Sequence, residues 1–207
     1  ADEINRASPR TQSALLEAMN ENQATIEGQR HLLPKPFMVI ATENPIEFHG
    51  TYPLPEAQMD RFLVRLGIGY PTVEVEIDIL KSHSVAEPLE RIEPVLTLEQ
   101  VQQIQKEAAE VHVDDSILEY IVEIVHATRR DNRLQLGIST RGTLMMSRAA
   151  RARAYFQKRD FVIPDDVLWL VPHVLPHRIL PTTKTRHSGI TTRQVVADIV
   201  GRIKVPV

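Results

Sequence analysis

Asp2 and Glu3 are adjacent carboxylates near the start of a 207-residue chain. As a bare dipeptide they are an exposed acidic pair. At the C-terminal tip of a buried strand they would be a nucleotide-hydrolysis pair, the first holding Mg²⁺ through water and the second polarising the attacking water. Asn44, in Asn44-Pro45 after the apolar run 37–41, is a simple turn residue or a strand-end amide at the edge where open α/β sheets bind ligands. If that run neighbours the Asp2-Glu3 strand, Asn44 would orient a water against a γ-phosphate. Asp60-Arg61 reads as a surface ion pair, or as an arginine offered to a neighbouring subunit's phosphate. Arg141, in Ser139-Thr140-Arg141-Gly142, opens a helix inside a basic run. His173 and His177 have the i, i+4 spacing of zinc ligands, but Pro172 and Pro176 are expected to interrupt that helix and no HExxH accompanies them.

The rest of the chain bounds these readings. Hydrophobic residues make up 43% and charged residues 25%, a globular composition that excludes collagen-like and disordered classes. Lys+Arg 24 against Asp+Glu 27 gives −3, so no global basic charge points to nucleic acid or a membrane surface. Cysteine is absent, which excludes disulfides, thiolate catalysis and cysteine-based zinc sites, and suits a reducing cytoplasm. No stretch reaches the roughly 20 apolar residues of a membrane helix. The opening Ala1-Asp2-Glu3 carries no initiator Met and no signal peptide, and reads as the inside of something larger. Charge is patterned: residues 74–123 carry 13 acidic groups, whereas 129–159 carry nine Arg/Lys against Asp131 alone. Arg141 and Arg148 share a helix edge from which Arg151 and Arg153 diverge, so a solvated or acid-paired face is expected there.

The elements that would position these groups fall into two kinds. In the first half, Ser8-Pro9 starts a helix over Thr11 to about Glu21, with Ala14, Leu15, Ala18 and Met19 on one face. A hairpin over 23–26 and 29–32 turns at Glu27-Gly28. The runs 37–41 and 62–68 read as buried strands, with a loop containing Gly50 and a short helix at 56–61 between them. The second half is helical. Thr97 with Gln100 is a capping-box pair ahead of Leu98, Val101, Ile104 and Ala108. Further helices are expected at about 115–129, with Ile117, Ile121, Ile124 and Val125 inward, and from Thr140, with a Met145/Ala149/Ala152/Phe156 stripe. The last two start at Pro164 and span about 191–203. The organisation is therefore an α/β piece at 1–70, a linker at 71–94 and an all-α domain at 95–207.

Taken in order, the segments carry a resemblance. Ala1-Asp2-Glu3-Ile4-Asn5-Arg6-Ala7, Gln12 to Met19, Pro36 to Pro45 and Gly50 to Phe62 closely resemble the MoxR family of AAA+ ATPases from its Walker B segment onward. Weaker similarity continues through Ser139-Thr140-Arg141, Ala149-Ala150 and Val174-Leu175-Pro176-His177-Arg178. The resemblance implies the C-terminal part of a P-loop AAA+ core, a parallel sheet with helices, plus a helical lid. It implies that Asp2 holds Mg²⁺ through water, that Glu3 is catalytic and that Asn44 is sensor 1. Arg61 would be an arginine finger acting in trans and Arg141 sensor 2 in the lid. ATP and Mg²⁺ are the implied cofactors, and the hairpin would face the ring pore or substrate side. The implied partners are further copies of the chain, in a ring of six, and von Willebrand factor A-domain proteins, with no nucleic acid and no membrane span. Glu43 stands where the family commonly has Gln, and Ser8 where Pro or Ala is usual; neither removes a catalytic group.

The resemblance implies ATP hydrolysis by a chaperone-like remodeller of protein complexes. No GxxxxGK[ST] loop occurs in the 207 residues, so the expectation is a portion of such an ATPase, inactive without its phosphate loop. Two other classes compete: a non-catalytic lid and assembly module that regulates an intact ring, and a nucleic-acid-associated AAA+ motor.

Overall fold

Ser8 and Pro9 start a helix, as their types demand. The computed structural model, which describes residues 1–44, 51–82 and 92–206, places α1 at Pro9–Glu21, with the Ser8 hydroxyl accepting the Thr11 N–H at 3.3 Å. A hairpin follows, β1 (Gln23–Ile26) against β2 (Gln29–Leu32), antiparallel with Gln23 opposite Leu32. Its turn has φ of 51° at Glu27 and 79° at Gly28, the backbone of a tight two-residue hairpin. Glu17 of α1 anchors the hairpin, its Oε1 accepting from Gln23 Nε2 at 3.0 Å and Thr25 Oγ1 at 2.5 Å.

The expected strands at 37–41 and 62–68 are not strands among the described residues. Each gives its backbone groups to a different partner. Ala1 donates to the Ile40 carbonyl at 2.8 Å, Thr42 N–H to the Ala1 carbonyl at 3.0 Å, and Ile4 N–H to the Thr42 carbonyl at 2.9 Å. One residue bonded to both i−1 and i+1 of its neighbour is the parallel pattern. The 62–68 run instead turns to the second half, Arg65 N–H donating to the His173 carbonyl at 3.0 Å. Apolar side chains of both runs stand open, Met38 at 77% exposure and Ile68 at 97%. The short helix is α2 (Glu56–Met59), and α3 (Val73–Ser82) occupies part of the stretch read as linker. Pro45, Gly50 and residues 83–91 of that stretch lie outside the described residues.

The helical half is built of α4 (Leu98–Glu110), α5 (Asp115–Arg130), α6 (Thr140–Phe156), α7 (Pro164–Val174), α8 (Thr183–His187) and α9 (Thr192–Val200). A small antiparallel pair joins β3 (Leu134–Leu136) to β4 (Leu180–Pro181). The capping box at Thr97 and Gln100 forms, and α5 buries Ile117, Ile121, Ile124 and Val125 as its spacing predicts. Two expectations need correcting. Pro172 does not break α7, which runs on to Val174, and a 3-10 turn over Pro176–Arg178 follows. On α6 the buried face is Gly142, Met146, Ala149, Ala150 and Ala154, while Phe156 is exposed. Because α4, α5 and α7 all pack on α6, its small residues mark the close approaches, and Tyr155 rather than Phe156 is the ring that packs against the core.

Apart from Ile4, Leu16 and Ala18, every buried apolar side chain among the described residues lies between 111 and 200. The helical half therefore holds the core. Asp166, buried at the start of α7, accepts from both terminal nitrogens of Arg159 at 2.6 and 2.8 Å and from the Ile163 N–H at 3.0 Å. Arg153 Nε lies 3.3 Å from the same carboxylate. Removing one member of a buried pair leaves an uncompensated charge. Asp166→Ala is expected to destabilise the chain by about 3–5 kcal/mol in urea denaturation, and a loss within experimental error would contradict this assignment.

Candidate functional site

The parallel contact at 1–4 and 40–42 brings the first candidates together. Thr42 Oγ1 donates to Asp2 Oδ1 at 2.6 Å and accepts the Glu3 N–H at 2.8 Å. Asn5 Nδ2 reaches the Asn44 carbonyl at 3.3 Å, and Asn5 is itself buried. Gln12, buried on α1, donates to the carbonyls of Ile4 and Tyr52 at 3.1 and 2.9 Å, which pins the acidic turn to the helix behind it. Glu3 takes a left-handed backbone, φ 44°, and its carboxylate pairs with Arg6 at 2.9 Å. Asp2, Glu3 and Asn44 are thus gathered on one edge. Thr42, Asn5 and Gln12, which hold them there, carry no signal of their own in sequence: a threonine and two amides become visible only through partners about 40 residues away.

Arg61 and Arg141 belong to a second locality, where the two halves of the chain meet. Among the described residues, no hydrogen bond or ion pair joins either of them to Asp2 or Glu3. Arg61 follows α2, its N–H donating to the Gln58 carbonyl at 3.1 Å and its Nε buried with no hydrogen-bond partner among the described residues. Asp60 does not pair with Arg61. Its Oδ2 accepts from the Ser139 hydroxyl at 2.8 Å, and its Oδ1 lies 3.3 Å from Nε of Arg178, a residue 118 positions away. Arg141, in the first turn of α6, reaches across to Asn20 Oδ1 of α1 at 3.1 Å. The halves therefore touch at α1–α6 and at residues 60–65 against 173–178.

The histidine pair is drawn into this contact. His177 Nε2 lies 3.1 Å from the Phe62 carbonyl oxygen and against Arg178, while His173 stacks near Trp169 with ring centroids 5.2 Å apart. A guanidinium beside His177 opposes any second cation. Burial, and then the neighbouring charges of Arg178 and Arg65, push the His177 pKa down to about 4. Burial likewise lowers that of Arg178 to about 10, still protonated at neutral pH.

Much of the basic run 129–159 is occupied within the chain. Arg129 donates to the Ile138 carbonyl, Arg133 pairs with Asp131 and Asp198, Arg151 donates to the Ala109 carbonyl, and Arg153 and Arg159 share Asp166. Arg133, Arg153 and Arg159 are thus acid-paired, while Arg130 and Arg148 are exposed, in line with the solvated or acid-paired face the charge pattern suggests.

With this geometry in view, comparison with known proteins is decisive. The model of the ATPase family associated with various cellular activities matches residues 1–64, and the AAA lid domain model matches 126–199. The whole chain aligns with chaperone MoxR1 of Mycobacterium tuberculosis at 39% identity, covering 56% of that protein. The chain belongs to the MoxR family of AAA+ ATPases. The MoxR protein of Methylorubrum extorquens is 29% identical over 96% of the chain and 62% of its own length. The uncharacterized YeaC of Bacillus subtilis is 49% identical over the whole chain and 65% of its own. A crystal structure of a candidate ATPase from Cytophaga hutchinsonii superposes with a TM-score of 0.92 at 35% identity, covering all of this chain and 66% of that one. The fold is accordingly the later part of a MoxR-type AAA+ core followed by its lid. The chain spans 56–65% of the length of these three curated relatives. No described helix is long and apolar enough to cross a membrane.

The buried neutral His177 makes the junction pH-sensitive. Its folded pKa lies below its unfolded one, so the unfolded state takes up a proton first as pH falls. The stability it contributes is whole above about pH 6.5 and is lost progressively towards pH 4, on the order of 3 kcal/mol in total. Urea midpoints at pH 7 and pH 5 are expected to differ more for the wild-type chain than for His177→Asn; equal differences would contradict the assignment.

Proposed function

We propose that the chain is the Walker B, sensor and lid portion of a Mg²⁺-dependent ATPase that assembles into a ring and remodels protein complexes. The observation that carries this reading is the Thr42 hydroxyl joined both to Asp2 and to the Glu3 N–H, on the same edge as Asn44. An exposed acidic dipeptide with no role would need no such buttress. The longer relatives support a parent protein whose remaining length supplies the phosphate loop and the strands that flank 37–41. The 207 residues by themselves are then inactive.

Each residue has a task in this reading. Asp2 offers a hard carboxylate oxygen, with Oδ2 left unbonded among the described residues, a donor type that suits Mg²⁺. When bound, the ion neutralises charge on the nucleotide phosphates. Glu3 accepts a proton from the attacking water, and Asn44 orients that water. Arg61 reaches the γ-phosphate held by the adjacent subunit, where a planar multidentate cation is most effective. Arg141 contacts the nucleotide of its own subunit from the lid. Further copies of the chain, six in the ring, and von Willebrand factor A-domain proteins are the partners. The internal pairing of Arg129, Arg133, Arg153 and Arg159 weighs against a nucleic-acid motor, because those side chains are committed to the fold.

In the full-length protein, Glu3→Gln is expected to retain ATP binding while turnover falls about 100-fold or more. Arg61→Ala is expected to cost about 1000-fold in turnover with nucleotide binding per subunit intact. Thr42→Val removes two hydrogen bonds to the acidic pair and should cost roughly tenfold. Steady-state hydrolysis and fluorescent-nucleotide titration separate the two effects. Wild-type turnover in Glu3→Gln or Arg61→Ala overturns the role given to that residue, and no turnover in the unmutated full-length protein leaves a non-catalytic assembly module.

A further inference from the structure

Arg178 is the most heavily committed side chain in the contact between core and lid. Its side chain is fully buried, whereas that of its partner Asp60 is 18% exposed. Nη1 donates to the Leu63 carbonyl at 3.2 Å and to the Val174 carbonyl of its own turn. Nη2 donates to the Phe62 carbonyl and lies 3.5 Å from that of Asp60. The residues immediately before and after Arg61 are therefore both tied to one guanidinium from the lid. Space for it is made on α6, where a Cβ on Gly142 would lie 3.1 Å from Arg178 Cδ and 2.6 Å from Ile138 Cγ2. A buried cation is costly wherever a donor goes unmatched; Nε makes no hydrogen bond among the described residues and has only the Asp60 carboxylate at 3.3 Å, so the two Nη groups supply the matching, and a planar fork serves carbonyls on both sides of one residue.

We propose that Arg178 is a positioning residue for Arg61, clamping the backbone of 60–63 to the lid so that lid and finger move as one body. The inference rests on the reading of Arg61 as a finger acting in trans. Arg141 and Gly142 are neighbours in the first turn of α6, so the surface that receives Arg178 adjoins the lid arginine assigned to the subunit's own nucleotide. Lid movement on nucleotide binding in one subunit is then passed to the arginine it offers to the next.

The test is subunit mixing in the full-length ring. Arg178→Ala is expected to lower kcat for ATP about tenfold or more, with KM changed less than about threefold. Arg178→Lys, which keeps the charge but not the fork, should lower kcat in the same sense. It decides the matter if Arg178→Ala does not assemble by analytical ultracentrifugation. In an equal mixture with Glu3→Gln subunits, an Arg178-variant site receives an intact finger from its Glu3→Gln neighbour. Random assembly then restores about a quarter of wild-type activity, one interface in four having that arrangement. Arg61→Ala mixed with Glu3→Gln is the control and should recover equally. Normal kcat in both Arg178 variants overturns the proposal. So does a defect that mixing does not rescue while the control is rescued, because Arg178 would then serve its own subunit's site. An inactive control mixture would overturn the finger reading itself.

Discussion

One buried guanidinium closes the contact between the two halves of this chain. Arg178 leaves the lid, takes carbonyl oxygens from the segment 60–63 and places its charge beside Asp60. Each unmatched donor of a desolvated cation adds its own desolvation cost; here both Nη groups find carbonyl oxygens, while Nε, 3.3 Å from Asp60 Oδ1, makes no hydrogen bond among the described residues. The geometry of the junction is set by that requirement: His177 is held neutral, Gly142 is kept without a Cβ, and Ser139 turns its hydroxyl to the second oxygen of Asp60. The two candidate arginines, Arg61 and Arg141, flank this contact, one on each half.

The two halves differ in how they are stabilised. The lid owns nearly all of the buried apolar surface, and its helices pack around the small residues of α6. The core portion is held by polar links instead, through Thr42, Asn5, Gln12 and Glu17. Its apolar runs at 37–41 and 62–70 stay open, a surface of the kind that marks a contact with another element. A site built on such a portion depends on hydrogen-bonded geometry where residues 1–4 lie against 40–42, which is where the Thr42 bridge lies.

Local chemistry was readable wherever it is local. The Ser8-Pro9 start, the Glu27-Gly28 turn, the Thr97/Gln100 capping box and the 3–4 spacing of α5 all appear where their residue types place them. The family, too, was readable from the ordered segments between Ala1 and Phe62. What escaped were the properties that depend on three-dimensional neighbours. Helical spacing predicts a Met145/Ala149/Ala152/Phe156 stripe on α6, yet a helix packed on by three others buries Met146, Ala150 and Ala154 and exposes Phe156. The Asp60-Arg61 dipeptide suggests a local ion pair, but Asp60 has a better partner 118 residues on. An apolar run at 62–68 says nothing about which backbone will be nearest, and here the neighbour is the lid.

On the proposed assignment, Arg178 and Arg61 form one unit directed at the adjacent subunit. An experimental structure of the full-length ring with Mg²⁺ and a non-hydrolysable ATP analogue addresses it most directly. The Arg61 guanidinium is expected within hydrogen-bond distance of the neighbouring subunit's γ-phosphate while Arg178 remains bonded to the carbonyls of Phe62 and Leu63. Arg61 turned into its own subunit, or an Arg178 released from that segment with Arg61 still on the phosphate, would contradict it.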